Sequence, residues 1–405
     1  MSKGIYFTGQ PIFSQLLSFI PRPLVNKLAI HYQADRCCKR FKTYDHLVTL
    51  LYSIINQCSS LREVTTGMLA WEHRLAHLGI THPPRRSTIS DASIRRGTKV
   101  FEAIYLELLK RYGQFLPDSR PAKLASKLYL FDSTTISLFQ QILKGAGKSD
   151  MDGRRKGGIK VHTLMRSDQD VPCMVRFSAA AKADVSFLKK VVLPAGSILV
   201  FDKGYRDYSA YNTLDEGAIT WITRNIDSSI HTIIEDRPIS ESQVNKGVLA
   251  DREIELGHNH NKKNAKVKAR LITYKDKKSG HIFEFITNDF HLKPATIADC
   301  YHKRWQIELL FKRLKQNYPL RYFLGDSPNA IKIQIWCVMI ADLILKVISS
   351  NYKCKWSFSN LVSMVRLHMM TYMNLKAFIT AAEKSLLDRF NQYKAKDSPL
   401  LLFAT

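Results

Sequence analysis

Tyr301, Arg304, Glu308 and Lys315 recur at helical spacing. At about 100° per residue they fall within roughly 60° of one another on a helix surface. Ile307, Leu310 and Leu314 supply an apolar side for packing. The face carries a single carboxylate among an aromatic hydroxyl and several cations, with Lys312 alongside. That composition suits a metal ligand facing a polyphosphate. Upstream, two isolated aspartates each end an apolar strand-like run: Asp132 after Leu130-Phe131, and Asp202 after Val200-Phe201. A carboxylate at the C-terminal end of a buried strand, followed by a turn, is where open α/β sheets place ligand groups. Two such aspartates on neighbouring strands, with Glu308 across them, converge as three hard oxygen ligands. Left alone, three close carboxylates repel and their pKa values rise; a divalent cation resolves the conflict. Magnesium favours carboxylates, waters and phosphate oxygens. Two ions roughly 3.5–4 Å apart stabilise both the attacking and leaving oxygens of an in-line displacement at phosphorus. Taken singly, each aspartate reads as a turn cap and Glu308 as a surface ion pair. Their combination in a strongly basic chain points to chemistry.

The charge is the second constraint. Lys+Arg 61 against Asp+Glu 35 gives +26 over 405 residues. The cations are spread through folded-looking segments, so a polyanionic partner, above all nucleic acid, is expected. The length exceeds one typical domain, and 45% hydrophobic residues suffice for a core. Seven cysteines show no CxxC pair and no metal-finger spacing, which suits a reducing cytoplasm. The N-terminus lacks a basic-then-apolar signal pattern. The most apolar run, Ile333 to Ile348, contains Asp342 and Lys346. It falls short of the roughly 20 residues a bilayer requires; it reads as a buried core helix, and no membrane is expected.

These groups need elements to position them. Residues 1–120 read as helical, from Leu47, Leu50, Leu51, Ile54 and Ile55 and from Phe101, Ile104, Tyr105, Leu108 and Leu109. After Pro83-Pro84, Ser87 or Thr88 is placed to cap a helix starting at Ile89. Arg85 and Arg86 beside that N-terminus suit phosphate contact, and a capped basic surface helix is the equally simple alternative. From residue 128 short strands begin: 128–131, a pair 159–165 and 171–177, then 198–201 and 218–223, with helices at 186–192 and 208–214 between. The segment 225–292 has strand character, with a hairpin of 269–274 and 281–286. His258 and His260 in its Gly257–Asn264 loop read as solvated rather than metal-bound. Helices return at 328–349, 358–370 and 374–393.

The chain resembles the insertion-sequence-4 family of bacterial DDE transposases. Tyr301, Arg304, Glu308 and Lys315 fit its Y-(2)-R-(3)-E-(6)-K signature. Asp132 in Phe-Asp-Ser-Thr and Asp202 in Phe-Asp-Lys-Gly-Tyr look like its first two acids. The separation of 106 positions from Asp202 to Glu308 leaves room for the β-rich insertion that the family carries. Gly9-Gln10-Pro11-Ile12-Phe13 and the following helices look like its N-terminal domain.

The resemblance implies a multi-domain α/β protein with an RNase H-like core, a five-stranded mixed sheet flanked by helices. The core would take residues 121–224 and 293–350, with a β-rich insertion at 225–292, a helical DNA-binding domain at 1–120 and a helical region at 351–405. It implies Asp132, Asp202 and Glu308 as ligands of two magnesium ions, which manganese can replace. Tyr301, Arg304 and Lys315, with Lys312, would hold DNA phosphates, and Trp305 would meet a displaced base. Packing of Trp305 in the core is the alternative. Lys160 and His162 are weaker candidates near the site. The expected function is cut-and-paste transposition: cleavage at the terminal inverted repeats, then strand transfer into target DNA. The expected form is a homodimer on double-stranded DNA in the bacterial cytoplasm, at the nucleoid. An RNase H-like endonuclease without strand transfer and a catalytically silent DNA-binding repressor are the alternatives.

Overall fold

A computed structural model describes residues 9–116, 124, 127–137, 158–179, 185–226, 228–257, 266–320 and 322–380. The chain divides into two compact units, Pro117–Arg313 and the combination of Met1–Leu116 with Leu314–Thr405. His258 and His260 lie outside the described residues, as does most of the helix expected at 374–393, which is described to residue 380.

The unit Pro117–Arg313 is built on one mixed sheet. Its strands are β1 Leu128–Ser137, β2 Gly158–Arg166, β3 Pro172–Ala179, β4 Ile198–Phe201, β5 Thr220–Arg224, β6 His231–Asp236, β7 Val248–Leu256, β8 Val267–Lys275 and β9 Ile282–Thr287. They run side by side as β3-β2-β1-β4-β5-β9-β8-β7-β6. β4 pairs in parallel with β1 and β5, and the other ladders are antiparallel. All four residues of β4 are buried, as a central parallel strand requires.

The sheet has nine strands where five were expected. The region after residue 225 does not form a separate layer. Its strand β9 bonds to β5, Ile222 opposite Thr287, and so continues the ladder. This covers an edge that would otherwise expose a row of unpaired backbone groups. The core is continuous across the join, since Phe131, Phe201 and Trp221 share a buried cluster with Ile254, Leu271 and Ile286. A bidentate buried pair secures the far strands: Arg270 Nη2 to Asp251 Oδ2 is 2.6 Å and Nε to Oδ1 is 2.8 Å. Arg270 Nη1 also donates to the carbonyls of Asp289 and Leu292. That fixes the segment leading into the next helix, at Pro294.

Between and after the strands come the helices α7 Val185–Leu188, α8 Tyr208–Glu216, α9 Glu241–Val244, α10 Pro294–His302 and α11 Trp305–Asn317. The helix expected at 186–192 is thus one short turn. α8 starts on Asp207, whose carboxylate accepts from the Ser209 and Ala210 amides. α8 and α10 pack on β5, and Tyr211 stacks on Trp221 at 4.4 Å.

The second unit is helical among its described residues. It holds α1 Ile12–Leu17, α2 Arg22–His31, α3 Thr43–Ile55, α4 Leu61–Ala70, α5 Arg86–Arg95 and α6 Thr98–Tyr112, together with α12 Pro328–Asn351 and α13 Phe358–His368. In keeping with the reading of 333–348 as core, α12 is buried along most of its length and packs on α3, α5 and α6. Among the described residues no helix is long and apolar enough to cross a membrane. α5 begins at Arg86, earlier than expected, and the residue before it, Arg85, makes no side-chain cap. The helix enters directly from extended backbone after the proline pair, so neither Ser87 nor Thr88 caps it.

His46 on α3 is fully buried, with Nε2 3.1 Å from Ser93 Oγ. Burial, then the charge of Arg96, holds its pKa well below the usual imidazole range. The unfolded chain therefore takes up the proton first. Stability supplied by the neutral ring is present above about pH 6.5 and is lost as pH falls below that value. Thermal melts between pH 7.5 and 5 should show a larger loss in wild type than in His46→Asn. Equal losses would remove His46 as the cause.

Candidate active site

Asp132 and Asp202 are brought together by strand pairing. β1 and β4 run in parallel with Phe131 opposite Phe201, the last pair of that ladder. Each aspartate is the next residue. Asp202 does end its strand: its carboxylate accepts from the Gly204 amide at 3.3 Å in the turn that follows. Asp132 does not. β1 continues to Ser137, with Asp132 opposite Thr163 of β2. The polar residues Ser133, Thr134 and Thr135 remain in the strand because β2 still pairs with them, and threonine suits a pleated surface.

The expected single helical face is broken. Tyr301 lies in α10 and Glu308 in α11, with Lys303 and Arg304 forming a two-residue turn. Amide-to-carbonyl bonds three residues apart mark the turn, Arg304 to Tyr301 at 2.9 Å and Ile307 to Arg304 at 3.1 Å. The tight turn sends Arg304 inward. Its Nη1 donates to Asp132 Oδ2 at 3.1 Å and its Nη2 to Glu308 Oε1 at 2.7 Å. One guanidinium thus bridges the first and third acids, and its Nε has no hydrogen-bond partner.

α11 is held at two points that the sequence did not reveal. Ser167 Oγ lies 3.2 Å from Gln306 Oε1, and Arg313 donates to the Asp170 carboxylate at 2.7 Å and to its carbonyl at 3.0 Å. Both partners belong to the turn between β2 and β3, where Asp170 has a left-handed φ of 52°. With Ile307 and Leu310 fully buried beneath it, α11 presents Glu308 in a fixed place. A sequence signal existed for this: the Ser-Asp-Gln-Asp turn carries two carboxylates where one turn residue would suffice.

The electrostatics match the crowding of acids. Burial pushes the Asp132 carboxyl up to about 6. The Ser133 amide and Arg304 oppose the rise, and Asp202 and Glu308 add to it. Burial works against the charge of Arg304 but is outweighed by Tyr301, Asp132, Asp202 and the bond to Glu308. Burial raises the Tyr301 hydroxyl, whose ring packs on Phe285 at 4.9 Å.

The remaining candidates divide. Trp305 is 59% exposed, which excludes its packing in the core. Lys312 and Lys315 are exposed further along α11. Arg85 and Arg86 are exposed in the other unit, at the start of α5. Lys160 and His162 are opposite Thr135 and Ser133, one residue out of phase with the Asp132–Thr163 pair. They therefore belong to the other face of the sheet. There His162 stacks on Phe187 at 3.6 Å and meets Ser178 Oγ at 2.9 Å.

Among the described residues, no three His, Cys, Asp or Glu side chains stand close enough to hold a metal ion together. The donor chemistry nevertheless fits a divalent cation. Asp202 and Glu308 both lie near enough to raise the Asp132 carboxyl, a cation already bridges two of the three acids, and Asp132 remains under-compensated.

The transposase DDE domain profile matches residues 124–343, which include all three acids. The chain belongs to the DDE transposase family. A second profile, a domain of unknown function (DUF4372), matches residues 8–81 of the transposase. The transposase-named y4zB protein of Sinorhizobium fredii is 30% identical over 265 residues, 65% of this chain and 71% of that one. Transposase-named proteins of two insertion sequence elements are similar to this transposase. That of IS4SA from Synechocystis is 25% identical over 65% of this chain and 71% of its own. That of IS5377 from Geobacillus stearothermophilus is 24% identical over 61% and 63%.

Proposed function

We propose that this transposase cuts DNA at the ends of a bacterial insertion sequence of the insertion-sequence-4 kind and joins the freed ends to target DNA. The observation that carries the reading is the Arg304 bridge between Asp132 and Glu308, one strand over from Asp202, within the matched domain. The order β3-β2-β1-β4-β5, with β1, β4 and β5 parallel, supports an RNase H-like core for the segment 121–224 with α10 and α11, and an insertion at 225–292; α12, expected in that core, packs in the helical unit instead.

Asp132, Asp202 and Glu308 would hold the divalent ions, two magnesium ions with manganese as a substitute. Bound there, magnesium would supply an activated water and charge stabilisation at the reacting phosphate. The chain's own groups do the positioning. Arg304, with a forked guanidinium, grips a phosphate once it leaves a carboxylate; Tyr301 offers a hydroxyl and Lys315 and Lys312 offer point charges. Trp305, exposed beside the turn, stacks on an unpaired base. Arg85 and Arg86 contact DNA from the helical unit. Handling two ends at once calls for a homodimer on the DNA, working at the nucleoid in the cytoplasm.

The test is incubation of a duplex carrying the element's own end with the protein, with magnesium or with chelator. Magnesium-dependent cutting at the boundary, followed by joining to a supercoiled target, is the expected result. Cutting without joining would reduce the reading to an endonuclease. Binding without cutting in any divalent metal would overturn it.

A further inference from the structure

The helical unit carries a groove of about 940 Å³ between the loop of residues 32–41 and one side of α5. Its walls bear Arg36, Lys39, Arg40, Arg95 and Arg96 against a single acid, Asp91. Asp91 is engaged by Arg95 at 3.9 Å. Among the described residues Arg36, Lys39 and Arg40 make no ion pair, and all three are exposed. Five cations around one concave surface repel each other, so the arrangement is held by something other than its own charges.

Arg96 holds it. The residue is 3% exposed. Its Nε donates to the Ala34 carbonyl at 3.2 Å, and its Nη2 donates to the Phe41 carbonyl at 2.8 Å and to Asp35 Oδ1 at 3.2 Å. Asp35 in turn accepts from the amide and hydroxyl of Thr43, at 2.7 and 2.8 Å, where α3 begins. On the other side Asn329 Nδ2 donates to the Arg96 carbonyl at 2.7 Å. The loop is bent by left-handed φ angles at Gln33 and Cys37, 51° and 63°, so its basic side chains are presented from a fixed backbone. Arg96 lines the groove and its Nη1 has no hydrogen-bond partner. Around this fixed post the exposed Arg36, Lys39 and Arg40 gather positive charge on one concave surface, which suits an anion.

We propose that this groove binds the phosphate backbone of duplex DNA, with Arg36, Lys39 and Arg40 on successive phosphates and Arg96 as the post that shapes the loop. The proposal rests on the reading of the chain as a transposase acting on DNA. The volume and the number of free cations exceed what one phosphate needs and suit a run of two or three. The loop lies within residues 8–81, matched by a domain described only as of unknown function. That segment would then hold DNA by charge, without reading its sequence.

The experiment measures binding of the full chain to a fluorescent 30-base-pair duplex across a salt series in the absence of divalent metal. The triple variant Arg36→Ala, Lys39→Ala, Arg40→Ala should bind about tenfold or more weakly, and its slope of log affinity against log salt should be shallower by about 2–3. The charge-keeping variant Arg36→Lys, Arg40→Lys should retain the wild-type slope. The change should be the same on an end sequence and on an unrelated one. An unchanged slope in a folded triple variant overturns the proposal, as does a loss confined to the end sequence. Should the triple variant fail to fold, acetylation of Lys39 in the wild type decides: protection by duplex is expected, and equal labelling with and without DNA overturns it. Because binding is measured without metal and so does not depend on cutting, failure of wild-type cleavage in magnesium would count against the catalytic reading alone, and an unchanged salt slope against the groove alone.

Discussion

Asp202→Ala and Glu308→Ala are expected to lower magnesium-dependent cleavage by about 10³-fold or more while leaving end binding within about threefold. The size of the effect follows from what would be removed. Each carboxylate would hold an ion that makes the nucleophile and neutralises the leaving oxygen, so loss of one ligand disables both ends of the displacement. Binding should survive because it rests on cations dispersed over a chain of net charge +26. Cleavage assayed with radiolabelled ends, beside gel-shift titration of the same duplex, separates the two quantities. If Glu308→Ala cuts as wild type does, Glu308 is only the ion-pair partner of Arg304, and the third ligand is elsewhere.

The second large effect is on stability, and its sign is opposite to that of most active-site substitutions. Asp132→Asn should make the metal-free protein more stable at pH 8 by roughly 1–3 kcal/mol. The carboxyl titrates at about 6 in the folded chain, against 3.8 for the ordinary group. That rise corresponds to roughly 3 kcal/mol. For a carboxylate raised in this way, the favourable contribution is present below the unfolded pKa and is lost as pH rises through about 6. At pH 8 the folded protein bears the full penalty, and the amide removes it, less whatever the weaker bond to Arg304 gives up. The gap between variant and wild type should close by pH 4. Magnesium should raise the melting temperature of wild type and do little for the variant. A variant that melts at or below wild type at pH 8 would show that Arg304 already neutralises Asp132 in full.

Much of this site could be read from residue types. The apolar runs before Asp132 and Asp202 name their strands directly, although only Asp202 ends one, and Glu308 falls on a helix as its spacing requires. β4 was legible to the residue, since Ile198–Phe201 is a short run buried on both faces. What could not be read depends on partners distant in sequence. β1 runs past Asp132 because β2 lies beside it. β6 and β7 alternate too little in hydrophobicity to announce themselves, and four of the six residues of β6 are exposed isoleucine or acid. The break at Lys303-Arg304 has no glycine or proline to signal it. The requirement for a guanidinium between two carboxylates explains it only once the fold is known. The basic groove was equally hidden, because Arg36 and Arg96 are 60 positions apart and neither lies in a recognisable motif.

The helical unit takes its helices from both sides of the sheet-bearing unit in the sequence, and this imposes an order on biosynthesis. A ribosome delivers α3, with 12 of its 13 residues destined for burial, long before it delivers α12, one of the helices that cover it. Residues 117–313 emerge in between and can fold while α3 waits. A chain terminated early therefore carries an apolar helix without its cover, which chaperones and proteases recognise. Chains truncated before residue 328 should therefore be shorter-lived in the cell than the full chain, which a pulse-chase comparison would check.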